Sequence, residues 1–278
     1  MRCIRSLTSL GLIAVASCVM PGSSGDTGNI DTDKIYNGRL ANKGEFPSVV
    51  AITEEVIEAD GTARQFFLCT GTLITPRTVL SAAHCFTPPD PSKHYNVIFG
   101  SLDPAHERGL RREKASEIIL HENFPTSDPE LLDLSNGSLA LDSDLALLIL
   151  PTAINDIHLV PLSDNPLLAA PGNMVAHVGY GLGNTIPLTP ASSGILRTAT
   201  IPVSGCDALD DGDFDESRIL CYAGLFGTIG DGDSGGPGFT YDDNSKLVQV
   251  SVGHLGSDAS AQDVQLTTYL PWILRHRK

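Results

Sequence analysis

Three short stretches of the chain carry side chains that together could perform nucleophilic acyl transfer. VLSAAHC contains His84, DSDLALLIL contains Asp144, and GDGDSGGP contains Ser234. A serine hydroxyl becomes a nucleophile when a base with a pKa near 7 takes its proton and a buried carboxylate orients that base. The three residue types, in the chain order His, Asp, Ser, therefore predict a catalytic triad.

The glycines around the serine indicate a backbone shaped for the same chemistry. The stretch GDGDSGGPGF, residues 230–239, surrounds one hydroxyl with unusual conformational freedom. Glycine is useful where the chain must adopt rare dihedral angles or let another group come close. Such a turn suits an exposed nucleophile, although glycine-rich turns also occur in ordinary loops.

The elements that would position these residues are short strands. Glycine (27 residues) and proline (18 residues) are frequent, and 41% of the 278 residues are hydrophobic. Apolar runs such as PSVVAI, YNVIFG and LALLIL have the length of strands, and long amphipathic repeats are missing. This pattern predicts an all-β protein of one large domain or two small ones, with frequent turns.

The net charge of −15 disfavours nucleic acid or an anionic membrane surface as a partner. Both of those partners are bound through basic surfaces. Beyond the first 20 residues, no segment is long and apolar enough to predict a transmembrane helix.

The first residues, MRCIRSLTSLGLIAVASCVM, have the basic start and short apolar stretch of a signal peptide. The prediction is a signal peptide at 1–17 and a secreted protein. An alternative is that VASC is a bacterial lipobox, in which case Cys18 would be acylated and 21–29 would form a tether to the membrane.

Four cysteines remain after the leader, namely Cys69, Cys85, Cys206 and Cys221. An even number in an exported chain predicts two disulfides, with three possible pairings. Pairing of neighbours is the simplest, and each bond would stabilise the chain by about 3 kcal/mol. A metal site is not expected, because there is no Cys-x-x-Cys and the histidines are scattered.

From Ile35 to the C-terminus the chain resembles the trypsin/chymotrypsin-like serine proteases. The resemblance rests on the three catalytic motifs, the activation site DTDKIYNG, the two disulfides and the end stretch LTTYLPWILRHRK. It implies two antiparallel six-stranded β-barrels packed together with a short C-terminal helix. The implied peptidase domain is 35–278, with barrels at about 35–155 and 156–265 and the helix at about 266–278.

The resemblance also assigns catalytic roles. Ser234 would be the nucleophile, His84 its base, and Asp144 the carboxylate that orients the base. The backbone N–H groups of Gly232 and Ser234 would form the oxyanion hole, where loss of one donor lowers the rate by about 10²–10³.

Two other carboxylates, Asp133 and Asp142, compete with Asp144 because the stretch before the catalytic aspartate is long. Only Asp144 is followed directly by LALLIL, and it is therefore chosen. The same stretch contains a glycosylation sequon at Asn136, which has meaning only in a eukaryotic secretory pathway.

The stretch DTDKIYNG resembles the activation site of a zymogen. Cleavage after Lys34 would free Ile35, whose new ammonium would pair with the Asp233 carboxylate and order the oxyanion turn. Residues 18–34 would then be a propeptide or linker, removed by a separate activating protease. The alternative is that Lys34 is only a charge in a flexible linker.

The resemblance places the specificity pocket at Thr228, Ile229, Ser251, Gly253 and Ala261. Thr228 would form the floor, where trypsin-like members carry the aspartate that binds Lys or Arg. Because threonine is uncharged and Ile229 is apolar, the expected preference is for an uncharged, apolar side chain. The alternative is trypsin-like specificity for Lys or Arg, if a small alignment shift aims Asp258 or Asp263 into the pocket.

The expected function is a secreted serine endopeptidase that works through an acyl-enzyme without a cofactor or metal. Its expected partners are protein or peptide substrates, an activating protease and a protein inhibitor. A non-catalytic member of the fold that binds or regulates is the rival, since Gly230 stands where most of the family has a pocket cysteine. An esterase or lipase is disfavoured, because their Gly-x-Ser-x-Gly serine precedes the histidine.

Overall fold

The chain pairs into two curled antiparallel sheets with a helix at the C-terminus. The computed structural model describes residues 38–58, 60–126, 143–181, 194–206, 215–223, 229–230, 232–256 and 260–278. Among these residues the sheets have seven strands each. The predicted leader and linker, including Cys18, and the sequon at Asn136 lie outside the described residues. The all-β class and the terminal helix are confirmed.

The strands are short and follow one another closely in the chain. In order they are β1 (Arg39–Leu40), β2 (Val49–Ile57), β3 (Ala63–Thr75), β4 (Thr78–Ser81), β5 (His94–Phe99), β6 (Arg111–Lys114), β7 (Glu117–Leu120), β8 (Ala146–Ile149), β9 (Met174–Gly179), β10 (Arg197–Pro202), β11 (Ile219–Ala223), β12 (Pro237–Tyr241), β13 (Leu247–Gly256) and β14 (Ser260–Gln265). The first sheet has the order β6-β5-β2-β3-β4-β8-β7, and the second has the order β1-β10-β9-β12-β13-β14-β11.

Each sheet has seven strands where the sequence predicted six, and the reason differs between the two. In the first sheet only Ala115 and Ser116 separate β6 from β7, so one bent segment pairs with β5 at one end of the sheet and with β8 at the other. That segment closes the sheet into a barrel of six chain segments. In the second sheet the extra strand is β1, which crosses from the N-terminal part of the chain to pair with β10.

The apolar run LALLIL is buried on both faces of β8. Ala146 and Leu148 lie in the core of the first sheet, whereas Leu147 and Ile149 pack in a second cluster with Trp272. A continuous apolar run is typical of a strand covered on both sides. The residues that immediately precede β8 are therefore held in place by packing on two sides.

The helix α1 (Leu266–His276) joins the two sheets. Its buried residues are Leu266, Tyr269, Trp272 and Ile273. They recur at a spacing of three to four residues, which is the apolar stripe of an amphipathic helix. The stripe packs against Leu147 of the first sheet and Val252 of the second, so one helix covers both.

Replacement of Trp272, which is 5% exposed, by Ala is expected to lower the free energy of unfolding by about 3–5 kcal/mol. The change removes the largest side chain between the helix and both sheets. Leu274→Ala on the exposed face of the same helix, where the side chain is 50% exposed, should cost less than about 1 kcal/mol. Urea denaturation measures both values, and equal losses would contradict the packing described.

Candidate active site

Strand pairing brings His84 and Asp144 together. His84 lies in the 3₁₀ turn Ala83–Phe86, just after β4, and Asp144 lies just before β8. The two strands are antiparallel, with Ser81 opposite Ala146, so the end of β4 and the start of β8 lie side by side. The Nδ1 atom of His84 is 2.6 Å from Oδ2 of Asp144, and the backbone N–H of His84 donates to Oδ1 at 2.7 Å.

The contact with Asp144 fixes the protonation of the His84 ring. A carboxylate only accepts hydrogen bonds, so Nδ1 carries the proton and Nε2 keeps a lone pair. The imidazole can then accept a proton at Nε2 while the carboxylate stabilises the cation that forms.

The electrostatics of the pair favour its charged form. Burial disfavours a charged His84, but the Asp144 carboxylate outweighs burial and raises the pKa of His84 above its usual value. Burial likewise opposes the charge on Asp144, which is fully buried. The imidazoles of His84 and His254 outweigh it and hold the pKa of Asp144 well below its usual range.

Ser234 lies in a tight turn that is hydrogen-bonded to the first sheet. Gly232 and Gly235 have φ angles of +89° and +80°, which residues with side chains rarely adopt. The backbone N–H of Thr70 donates to the Ser234 carbonyl at 2.9 Å, and its hydroxyl donates to the Gly232 carbonyl at 2.8 Å. The serine turn is thus attached to β3 in the sheet that carries His84.

A disulfide links the same part of β3 to the histidine turn. Cys69 precedes Thr70 and is bonded to Cys85, which follows His84. A side chain at Gly235 would also collide with the Ala82 backbone nitrogen, 2.9 Å from its Cβ position. The serine turn therefore lies directly against the segment that leads into His84.

The second disulfide, Cys206–Cys221, is also present. Both bonds join neighbours in sequence, which is the simplest of the three pairings open to the sequence. Cys221 lies in β11, the last strand in the order of the second sheet, whereas His84 and Asp144 flank strands of the first sheet.

The Asp233 carboxylate is buried beside the serine turn. Its two oxygens accept the backbone N–H groups of Gly181 at 2.8 Å and Gly230 at 2.9 Å. Lys34 and Ile35 lie outside the described residues, so activation by cleavage between them stays a prediction.

The structure brings three of the predicted pocket residues together. Ile229 is buried and its Cδ1 atom lies 3.4 Å from the Cβ position of Gly253. Its backbone also closely approaches Gly256, which is paired with Ala261 on the next strand. The predicted floor residue, Thr228, lies outside the described residues, as do Asp258 and the competing carboxylates Asp133 and Asp142.

Ser251 is placed elsewhere than the pocket alignment assumed. It is fully buried, and its hydroxyl donates to Oδ2 of Asp263 at 2.5 Å. The Tyr222 hydroxyl donates to the same oxygen at 3.3 Å, and Nδ1 of His177 lies 3.6 Å from it. Asp263 is therefore part of a buried polar network inside the second sheet.

The residue of the site that sequence reasoning missed is His254. Its Nδ1 atom lies 2.6 Å from Oδ2 of Asp144, so β13 contacts the pair through this residue. The register of β13 shifts between Gly253 and Leu255, and this irregularity carries no local sequence motif. The available signal was one ionisable residue within the otherwise uncharged stretch SVGHLG.

The three side chains have the donor atoms of a metal site, since His84, Asp144 and His254 offer two nitrogens and an oxygen. Both nitrogens, however, lie at hydrogen-bond distance from the same oxygen. A zinc ion needs about 2.0–2.2 Å to each nitrogen or oxygen ligand, and contacts of 2.6 Å leave no space for it between them. The geometry fits two N–H donors that share one acceptor oxygen instead.

Asp144→Asn is expected to lower the pKa of His84, because the substitution removes the negative charge and leaves the burial. NMR titration of the histidine ring protons measures this pKa. Asp103→Asn is the matched control, since Asp103 contacts the exposed His106 at 2.7 Å. The control should leave the pKa of His84 unchanged. An unchanged pKa of His84 in Asp144→Asn would refute the electrostatic coupling.

A family model described as Trypsin matches residues 35–273 of the chain. Urokinase-type plasminogen activator of Gallus gallus is 28% identical over 266 residues, which cover 86% of this chain and 56% of that protein. Snake venom serine protease CL2 of Trimeresurus stejnegeri is 32% identical over 179 residues, covering 61% and 62%. Brachyurin of Leptuca pugilator is 27% identical over 220 residues, covering 74% and 86%.

These relatives support a proteolytic function in general terms. The matched segments span 56% and 62% of the plasminogen activator and the venom protease, so those proteins extend well beyond what this chain shares with them. The family match itself covers most of the chain and includes the stretches that contain His84, Asp144 and Ser234. The protein belongs to the trypsin family of serine proteases.

Proposed function

We propose that this protein is a serine endopeptidase with His84, Asp144 and Ser234 as its catalytic triad. The observation that carries the proposal is the His84–Asp144 pair, with Nδ1 at 2.6 Å from the buried carboxylate, beside the serine turn. The hydrogen bonds from Thr70 to both Gly232 and Ser234 hold that turn on the sheet of the pair.

The proposed reaction uses these three side chains in turn. Nε2 of His84 takes the Ser234 proton while the hydroxyl oxygen attacks the peptide carbonyl. His84 then gives the proton to the leaving amine, and the acyl-enzyme forms. In the second half His84 takes a proton from water as the water oxygen attacks the acyl carbonyl, and it returns this proton to Ser234 as the ester bond breaks and the acid leaves. Asp144 keeps the ring in the required tautomer and stabilises its cation.

The oxyanion is held by the backbone N–H groups of Gly232 and Ser234. The positive φ of Gly232 turns the backbone in a way that a larger residue would resist. A Cβ atom there would also lie 2.5 Å from the Phe67 ring. Glycine at this position thus preserves the shape of the turn that presents the donors.

The proposal includes activation by cleavage after Lys34. Asp233 supports it, because its buried carboxylate is oriented by two backbone N–H groups at the base of the serine turn. A new ammonium group at Ile35 would balance that buried charge. A separate protease with basic specificity would perform the cleavage.

The preferred side chain before the scissile bond is proposed to be uncharged and apolar. Ile229 and Ala261 are buried apolar residues of one cluster in the second sheet. The carboxylate of Asp263 accepts hydrogen bonds from Ser251 and Tyr222, which reduces its ability to attract a substrate cation. These contacts support the absence of trypsin-like specificity.

The protein is proposed to act outside the cell on protein or peptide substrates, under control of an activating protease and a protein inhibitor. The leader sequence and the venom protease among the relatives support this location. In the described part of the chain, no helix has the length and apolarity that crossing a bilayer requires.

A fluorophosphonate probe, which reacts covalently with activated serines, tests the catalytic proposal. Labelling should appear only after cleavage between Lys34 and Ile35, and Ser234→Ala should abolish it. Ser92→Ala, at an exposed serine outside that turn, should label like the parent protein. Absence of labelling in folded, cleaved protein would favour a non-catalytic member of the fold.

A peptide panel that varies only the residue before the scissile bond tests the specificity. Peptides with medium-sized apolar residues should be cleaved faster than those with Lys or Arg, because no carboxylate is proposed to face the substrate cation. Cleavage only after Lys or Arg would refute the proposal. Loss of that cleavage in Asp263→Asn would then identify Asp263 as the pocket carboxylate.

A further inference from the structure

Two imidazoles share one carboxylate oxygen at the candidate active site. The Nδ1 atoms of His84 and His254 each lie 2.6 Å from Oδ2 of Asp144. The ring centroids are 5.9 Å apart at an angle of 69°. Asp144 is fully buried and His254 is 2% exposed, so solvent does not compete for these contacts.

An irregularity in β13 turns His254 toward the first sheet. Gly253 is paired with Asp263 of β14, and Leu255 with the preceding residue, Gln262. His254 is therefore the extra residue of a β-bulge, without an opposite residue on β14. Bulges re-aim side chains in this way and are frequent beside active sites.

The bulge is attached to the serine turn by the backbone. The N–H of Gly235 donates to the Gly253 carbonyl, and the N–H of Gly253 donates to the Gly236 carbonyl, both at 2.8 Å. His254 thus follows a residue whose N–H and carbonyl are both hydrogen-bonded to the serine turn. The strand that is hydrogen-bonded to the serine turn, β13, therefore also places the His254 side chain against Asp144.

The shared oxygen dictates the protonation of both rings. Because a carboxylate oxygen accepts only, both rings must carry their proton at Nδ1. Together with the backbone N–H of His84, the Asp144 carboxylate then accepts three hydrogen bonds. Its two oxygens cannot rotate without loss of at least one of these bonds.

We propose that His254 is a positioning residue that holds the Asp144 carboxylate in the orientation His84 requires, by donating Nδ1–H to Oδ2. It acts through Asp144 and does not touch the substrate. An apolar side chain of similar size would fill the same space but leave the carboxylate held by its two bonds from His84 alone. The kinetic part of this proposal rests on the proposed peptidase function, whereas the hydrogen bond itself does not.

The hydrogen bond is tested by NMR on the full chain labelled with ¹⁵N in its histidines and carrying Ser234→Ala, which prevents self-digestion. Two ring N–H protons, far downfield of the amides and slow to exchange, are expected from His84 and His254. His254→Asn should remove one of them. His106→Asn should remove neither, since His106 is exposed. A single downfield ring proton in the parent chain would overturn the proposal.

The positioning role is tested by kinetics on the cleaved enzyme. His254→Leu removes the donor at similar volume and should lower kcat about tenfold to hundredfold, because a misplaced catalytic group is costly even over short distances. KM should change little, since His254 does not contact the substrate. His254→Asn retains an N–H near the Nδ1 position and should recover most of kcat.

Two kinetic results would contradict the role. One is a kcat of His254→Leu equal to that of the parent enzyme, and the other is an equal loss of kcat in His254→Asn and His254→Leu. Thermal melting of both variants verifies that they fold, and the NMR result stands even where His254→Leu does not. Two downfield ring protons in a protein that no serine probe labels would retain the hydrogen bond and refute the peptidase function alone.

Discussion

The site depends on the burial of one charged carboxylate, that of Asp144. A buried carboxylate is strongly destabilising unless hydrogen bonds and nearby positive charge replace the water it has lost. Here the replacements come from His84 in the first sheet and His254 in the second. The same contacts that make the charge tolerable also fix where the His84 ring lies and join the two sheets at the site.

The surrounding structure restricts motion of the groups that meet at Asp144. Packing on both faces of β8 holds Asp144 itself, and the Cys69–Cys85 bond holds the turn of His84. The hydrogen bonds of Thr70 attach the serine turn to the same sheet. Catalytic geometry is sensitive to small displacements, so these supports are as important to the proposed reaction as the reacting groups.

The second sheet contains another buried carboxylate, that of Asp263, in a different environment. Asp263 is surrounded by the hydroxyls of Ser251 and Tyr222 and by the ring of His177, which packs edge-on against Tyr222 at 4.6 Å. Gly238 leaves the space for Ser251, because a Cβ atom there would collide with its hydroxyl. Two carboxylates of one protein are thus buried by different means, one with imidazoles and one mainly with hydroxyls.

The sequence by itself determined the family, the all-β class, the terminal helix and the three stretches around His84, Asp144 and Ser234. Those features are local, since each depends on a few adjacent residues or on a run of apolar side chains. The neighbour pairing of the cysteines was one of three alternatives, and the tertiary structure selected it. Only the tertiary structure placed His254 on Asp144, because that contact spans 110 residues and depends on a bulge in β13. It likewise decided that Ser251 faces Asp263, since a shift of register along a strand changes which side chain reaches a given site.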